Sequence, residues 1–234
     1  MIINSKDIAL YNAKLLSKVF SSSTCNISKE WLTASVKPIT VSKQFTYGSG
    51  TLKFLIEGAT EDILKENVSN LIADISESII NFGDGFFYKV TLNSTSEDGI
   101  FFNNVTDLYA ENIKITLSVD ELFKDYIELE LIQGMSIDLE GSKDTECIVE
   151  ITPIQTLGEL IITGFSKEPI TITNLQKDVK IIINGEDKTI TADGVNKFND
   201  TDMWEFPYLK VGINNINFSK TYFTGTVKYR PRYV

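Results

Sequence analysis

Val179-Lys180-Ile181-Ile182-Ile183-Asn184-Gly185-Glu186-Asp187-Lys188-Thr189-Ile190-Thr191 decides how the second half of this chain is read. Two runs rich in β-branched residues, 179–183 and 188–191, flank Asn184-Gly185, a dipeptide that accepts the backbone twist of a tight hairpin. The rhythm of short strand and turn continues outward on both sides. Stretches 147–152, 159–163 and 170–173 precede the hairpin, and 215–218 and 225–229 follow it. Seven short strands with no helical period between them predict an antiparallel β-sandwich.

Upstream the pattern changes. The stretch 133–144, with Gly134, Gly141 and Ser142, is rich in turn residues and places a domain boundary there, giving domains 1–133 and 134–234. In the first domain Thr60 suits a helix N-cap, and Glu61 and Asp62 complement the helix dipole. Val68, Leu71, Ile72, Ile75 and Ile79 then form one apolar stripe, which Gly83 and Gly85 are expected to end. Strands are predicted at 51–56, 86–92, 113–119 and 127–131, while 42–51, with Gly48 and Gly50, reads as a turn or hairpin tip. The first forty residues carry no single period. The fold class is therefore mainly β, an α+β first domain with one amphipathic helix followed by a sandwich.

The 234 residues include 22 basic and 32 acidic side chains, a formal net charge of −10. Such a surface repels phosphate backbones and anionic lipid heads, so neither nucleic acid nor membrane is an expected partner. The basic residues are dispersed apart from Lys228, Arg230 and Arg232. No apolar stretch approaches the roughly 18 residues of a membrane span, and Met1–Phe20 lacks the apolar run of a secretory signal. Cys25 and Cys147 are expected as two free thiols behaving as small apolar residues.

The sequence contains no histidine. That removes Ser-His-Asp and Cys-His catalysis and histidine-based metal sites together. No Gly-x-Ser-x-Gly elbow and no Gly-Lys of a P-loop occurs, and Tyr47-Gly48-Ser49-Gly50 and Gly83-Asp84-Gly85 are too short to cradle a pyrophosphate. Asp84, Glu97, Asp98, Asp120, Glu121, Asp200 and Asp202 fall in predicted turns, where solvated acids are common. Asp193, Asn199, Asp200 and Asp202 offer oxygen ligands but not the spacing of a calcium loop. No catalytic residue, cofactor site or metal site is expected. Trp204, Phe206 and Tyr208 alternate across Trp-Glu-Phe-Pro-Tyr and are read as packing or interface anchors, with sugar stacking as the competing reading.

The closing residues add something more specific. The Asn184-Gly185 hairpin is followed by Phe206-Pro207-Tyr208-Leu209, then Gly212-Ile213-Asn214, and the chain ends Tyr229-Arg230-Pro231-Arg232-Tyr233. This order resembles the distal tail proteins of long-tailed phages over roughly the last fifty residues. The resemblance implies an amino-terminal domain that closes a ring of six copies and a galectin-like carboxy-terminal sandwich. It implies a non-enzymatic baseplate hub, made in the bacterial host cytoplasm and placed at the tail tip of the virion. There it would join the tail tube protein to a tail-associated hub or lysin protein and to receptor-binding or tail fibre proteins. The alternative is a carbohydrate-binding sandwich that mediates adhesion to the host surface.

Overall fold

The computed structural model describes all residues from Met1 to Val234. They form two compact units, Met1–Leu122 with Val234, and Phe123–Tyr233. The division falls before the 133/134 boundary read from the sequence. The physical reason is strand pairing: Ile127–Glu130 is antiparallel to Phe223–Tyr229, Leu129 opposite Val227, so the stretch after Leu122 is held by the second unit. The turn-rich segment meant to mark the boundary contains a further strand, Met135–Leu139, paired with Gly212–Phe218.

In the amino unit one antiparallel sheet runs in the order Lys6–Asp7, Ile2–Ile3, Glu77–Asn81, Phe87–Glu97, Leu108–Phe123, Gly48–Gly58, Ala13–Ser21. Its inward face is the aliphatic half of the alternation: Leu52, Phe54 and Ile56 lie opposite Ile115, Ile113 and Glu111, and the apolar members are buried. The helix Glu61–Ile75 covers that face with Leu64, Val68, Leu71 and Ile75. Thr60 caps it as expected, its hydroxyl accepting from the Ile63 N–H at 3.3 Å. The helix stops at Ile75, earlier than the stripe suggested. Ile79 belongs instead to the strand Glu77–Asn81, which pairs with Phe87–Glu97 and buries Ser78 and Ile80. Gly83 and Gly85, at φ of +82° and +81°, make the turn of that hairpin rather than the end of the helix.

The region 42–51, read as a turn, is mostly strand. Ile39–Phe45 pairs with Cys25–Glu30 in a two-stranded sheet of its own. Gly48–Gly58 then enters the large sheet, where a Cβ on Gly50 would lie 2.5 Å from the Phe20 ring. The glycine is there for close packing, a need that no local pattern announces.

In the second unit, Cys147 and its neighbours follow the expected rhythm. One sheet contains Ile127–Glu130, Phe223–Tyr229, Thr145–Pro153, Ile181–Asn184, Thr189–Ala192 and Val195–Asn196 in that order, with Tyr208–Leu209 added beside Thr145–Pro153. The other runs Met135–Leu139, Gly212–Phe218, Leu157–Thr163, Ile170–Leu175, Thr201–Asp202. Every strand pair within the unit is antiparallel. Val149, Ile151, Leu160, Ile162, Ile172, Ile183, Phe165 and Ile216 fill one core that both sheets share. All seven strands read in the sequence are present.

The deciding hairpin forms, with a difference in its turn. Asn184 pairs with Thr189, so the loop comprises residues 185–188 instead of two. Asn184 Oδ1 accepts from the N–H groups of Glu186 and Asp187, and Lys188 takes the left-handed conformation at φ 56°. Gly185 serves another purpose. A Cβ there would sit 2.2 Å from the Pro207 carbonyl oxygen and 2.6 Å from that of Cys147. Its missing side chain lets the 206–208 segment lie against the hairpin.

Candidate functional site

The Trp204–Tyr208 stretch becomes a site only through its strand partner. Tyr208–Leu209 pairs with the start of Thr145–Pro153, with Thr145 opposite Leu209 and Glu146 opposite Tyr208. Thr145 and Leu209 are buried, so the alternation leaves Glu146 and Tyr208 side by side on the outer face. The Cys147 N–H donates to the Pro207 carbonyl at 3.1 Å, and the Gly185 N–H to the Cys147 carbonyl at 2.9 Å, which locks segment, strand and hairpin together.

Between them lies an open cleft of about 360 Å³, lined by Asp144, Thr145, Glu146, Lys188, Glu205, Phe206 and Tyr208. Of the three aromatics singled out in the sequence, Phe206 and Tyr208 share this cleft. Trp204 is outside its lining and 86% exposed. The two ring faces of Phe206 are not equivalent to free platforms, because Phe198 stacks at 6.4 Å and the Lys188 ammonium lies 5.8 Å from the ring centre. Burial raises the Tyr208 phenol above its ordinary pKa, and the Glu205 charge adds to this. Partial burial works to raise Glu205, but hydrogen bonds from the Lys167 side chain and backbone outweigh it and hold the carboxyl below its usual range. Glu205 Oε1 is 3.3 Å from Lys167 Nζ. Glu146 is held by Arg232 and, at 3.9 Å, by Lys188. Asp144 accepts from the Val211 N–H at 2.9 Å. Sequence inspection missed Asp144, Glu146 and Lys188, since each reaches the cleft through pairing with residues distant in the chain.

The basic group near the chain end is engaged internally. Arg230 Nε and Nη2 each donate to Glu186 at 3.1 Å, and the guanidinium lies 4.1 Å from the Tyr126 ring centre and 4.8 Å from that of Phe123. Lys228 is 3.6 Å from Glu128 and 3.5 Å from Glu150. These residues tie the last strand to the hairpin loop. Asn214 does the same for the preceding turn: its buried amide donates to the carbonyls of Lys210 and Gly212, and Gly212 sits at φ 88°.

The acids read as solvated or turn-forming have assorted partners. Asp84 accepts from Lys18 at 3.0 Å, and Asp120 from the Thr91 hydroxyl at 2.7 Å. Asp200 pairs with Lys197 at 2.8 Å, and Asp193 accepts from the Lys180 N–H, so the loop acids serve a lysine and a backbone donor. Cys147 is buried in the sandwich core and its thiol pKa is pushed up by burial, whereas Cys25 is exposed in the amino unit. The expectation of two apolar-packed thiols holds for Cys147 and fails for Cys25.

The most exposed apolar side chains of the amino unit gather on the Cys25–Phe45 hairpin. Trp31, Leu32 and Val36 crown its tip, Trp31 at 67% exposure and Val36 at 96%. Ile27, Ile39, Val41 and Phe45 are exposed along its strands. A two-stranded ribbon of this kind is marginal on its own.

The fold and these motifs together define a phage tail-component domain: residues 140–233 match the family model of the siphovirus-type tail component, C-terminal domain. This segment contains the hairpin, the Phe-Pro segment and the Arg-Pro-Arg ending that resemble the distal tail proteins. Among solved structures, the chain is similar to Dit of phage SPP1, described as a paradigm of the hub adsorption apparatus in phages infecting Gram-positive bacteria. That likeness covers 100% of this chain and 98% of the other, with a TM-score of 0.77 at 8% identity. The phage P2 baseplate in its activated conformation with Ca matches over 97% of this chain and 92% of that one, at TM-score 0.52 and 13% identity. Its counterpart with Sr gives 0.50 at 14% identity, over 95% and 92% of the two chains. At such identities the likeness is one of fold, and it extends over both units. No curated protein matches the chain in sequence. Family model and fold together support a structural component of a phage tail baseplate.

Proposed function

We propose that this protein is the hub ring of a siphophage-type tail tip, a homo-hexamer with a non-enzymatic, structural role. The observation that carries the reading is the Cys25–Phe45 hairpin, an isolated ribbon with apolar side chains exposed along its length and at its tip. A contiguous apolar surface of this sort marks a protein interface. A ring needs two different faces on each subunit, one that gives and one that receives. The hairpin supplies the first. The edge strand Ala13–Ser21, with Leu16 at its bulge and Val19 both exposed, offers the second.

The amino unit thus makes the ring, and the galectin-like sandwich presents the attachment surface. The ring joins the tail tube protein to the tail-associated hub or lysin protein and to receptor-binding or tail fibre proteins, in a virion assembled in the host cytoplasm. Native mass spectrometry and negative-stain imaging of the purified chain test this directly. The expected result is a six-fold ring that dissociates when Trp31 and Val36 are both replaced by Asp. A chain that stays monomeric alone and forms no ring in tail particles overturns it.

A further inference from the structure

We infer that the cleft between the 204–208 segment and the Ile181–Ala192 hairpin is a binding site for a neutral saccharide, taking one pyranose unit. The volume of about 360 Å³ sits at the small end of the roughly 300–1,000 Å³ typical of small-ligand clefts. Its walls are held by backbone hydrogen bonds at 2.9 and 3.1 Å and by the close approach at Gly185, so little ordering is left for binding to accomplish.

The polar lining specifies the ligand chemistry. Asp144, Glu146 and Glu205 face one ammonium, Lys188, which disfavours phosphate, sulfate or carboxylate ligands. Glu146 and Glu205 are already paired with Arg232, Lys188 and Lys167, so the site has no need of a cationic ligand for neutralisation. An ionised carboxylate has about four lone-pair sites, and these pairs leave acceptor capacity in place. Hydroxyl groups are the donors that fit, with Lys188 as a donor to ring or hydroxyl oxygens. Phe206 and Tyr208 add an apolar wall for the C–H face of a sugar. A ligand with hydroxyl donors on its rim and an apolar face is a saccharide.

Saturation-transfer NMR on the purified full chain tests the site with glucose, galactose and N-acetylglucosamine, alongside cationic glucosamine and anionic glucose 6-phosphate. Transfer to at least one neutral sugar is expected, with affinity falling roughly tenfold in Glu205→Ala and in Lys188→Ala while both variants keep the wild-type unfolding midpoint. Silence from all three neutral sugars overturns the inference. So does binding that survives both substitutions, or preference for glucosamine or glucose 6-phosphate. The measurement needs no assembly: a monomer that binds sugar refutes the ring and keeps the cleft, and a ring that binds none does the reverse.

Discussion

The two units solve the same burial problem differently. The sandwich places two sheets face to face and closes its core with its own aliphatic residues, Val149, Ile151, Leu160 and Ile172 among them. The amino unit has one large sheet and one helix, Glu61–Ile75, which covers a single face of it. The opposite face is polar and carries Lys53 directly across from Lys114. Its apolar surplus is displayed on a hairpin instead of being buried. The sandwich has little exposed apolar surface outside its loops and short segments, whereas the amino unit holds a continuous run of it. A self-sufficient core and an unfinished surface in one chain fit a protein whose assembly contacts lie mainly in one half.

The comparison breaks most visibly at the cores. Phe165→Ala in the sandwich and Phe54→Ala in the amino unit each remove a fully buried ring and are expected to cost about 3–5 kcal/mol. Calorimetry with a unit-specific probe should show each substitution lowering the midpoint of its own unit more than the other. Equal effects on both would show that the two fold as one cooperative body.

Glycines sharpen the contrast next. Gly185→Ala in the sandwich drives a methyl against two carbonyl oxygens and is expected to destabilise by roughly 1–3 kcal/mol and to distort the cleft. Gly83→Ala in the amino unit meets no atom within 4 Å and carries only the left-handed backbone cost, about 1–2 kcal/mol. Urea midpoints of the two variants, with the wild type, decide the order.

Two buried acids give the units opposite pH responses. Burial raises Glu111 in the amino unit, with the charges of Glu97 and Asp98 adding to it. The folded state therefore holds that proton more tightly than the unfolded chain. Its contribution favours folding at low pH and is lost as pH rises from the ordinary carboxylate value through the raised one. Glu150 in the sandwich is lowered, chiefly by the hydrogen bond from Lys180. Its contribution is present above the ordinary value and is lost as pH falls through the lowered one. Stability measured from about pH 3 to pH 7 should flatten on the high side in Glu111→Gln and on the low side in Glu150→Gln. Identical profiles for both variants would remove this distinction.

The smallest effect concerns the open face. Lys53 and Lys114 oppose each other across neighbouring antiparallel strands, an arrangement of like charges that disfavours the pair. Lys114→Glu should stabilise the amino unit by about 0.2–1 kcal/mol at low salt, and less at high salt.

Legibility from sequence followed the same divide. In the sandwich, strands are short and their alternation is local, so Cys147–Thr152 through Gly225–Tyr229 could be placed within a few residues. In the amino unit Ile79 misled, because a β-branched residue three turns along an apolar stripe satisfies a helical spacing and a strand equally. The stretch 42–51 misled because Gly48 and Gly50 look like turn residues, whereas Gly50 makes room for Phe20. Cleft residues Glu146 and Lys188 carried no local signal at all. Trp204 stood out in the sequence but does not line the cleft that its neighbours form.

Composition and local pattern alone determined a mainly β chain with one capped helix, an acidic balance, no histidine-based chemistry and a hairpin at Asn184. These depend on residue type and on neighbours within a few positions, which the linear order records. Tertiary structure alone decided where the helix yields to a strand, why Gly185 has no side chain, which acids meet at the cleft, and that the Cys25–Phe45 ribbon stands with its apolar side chains uncovered. Each of those depends on contacts between residues far apart in the chain, whose energies no short window of sequence contains.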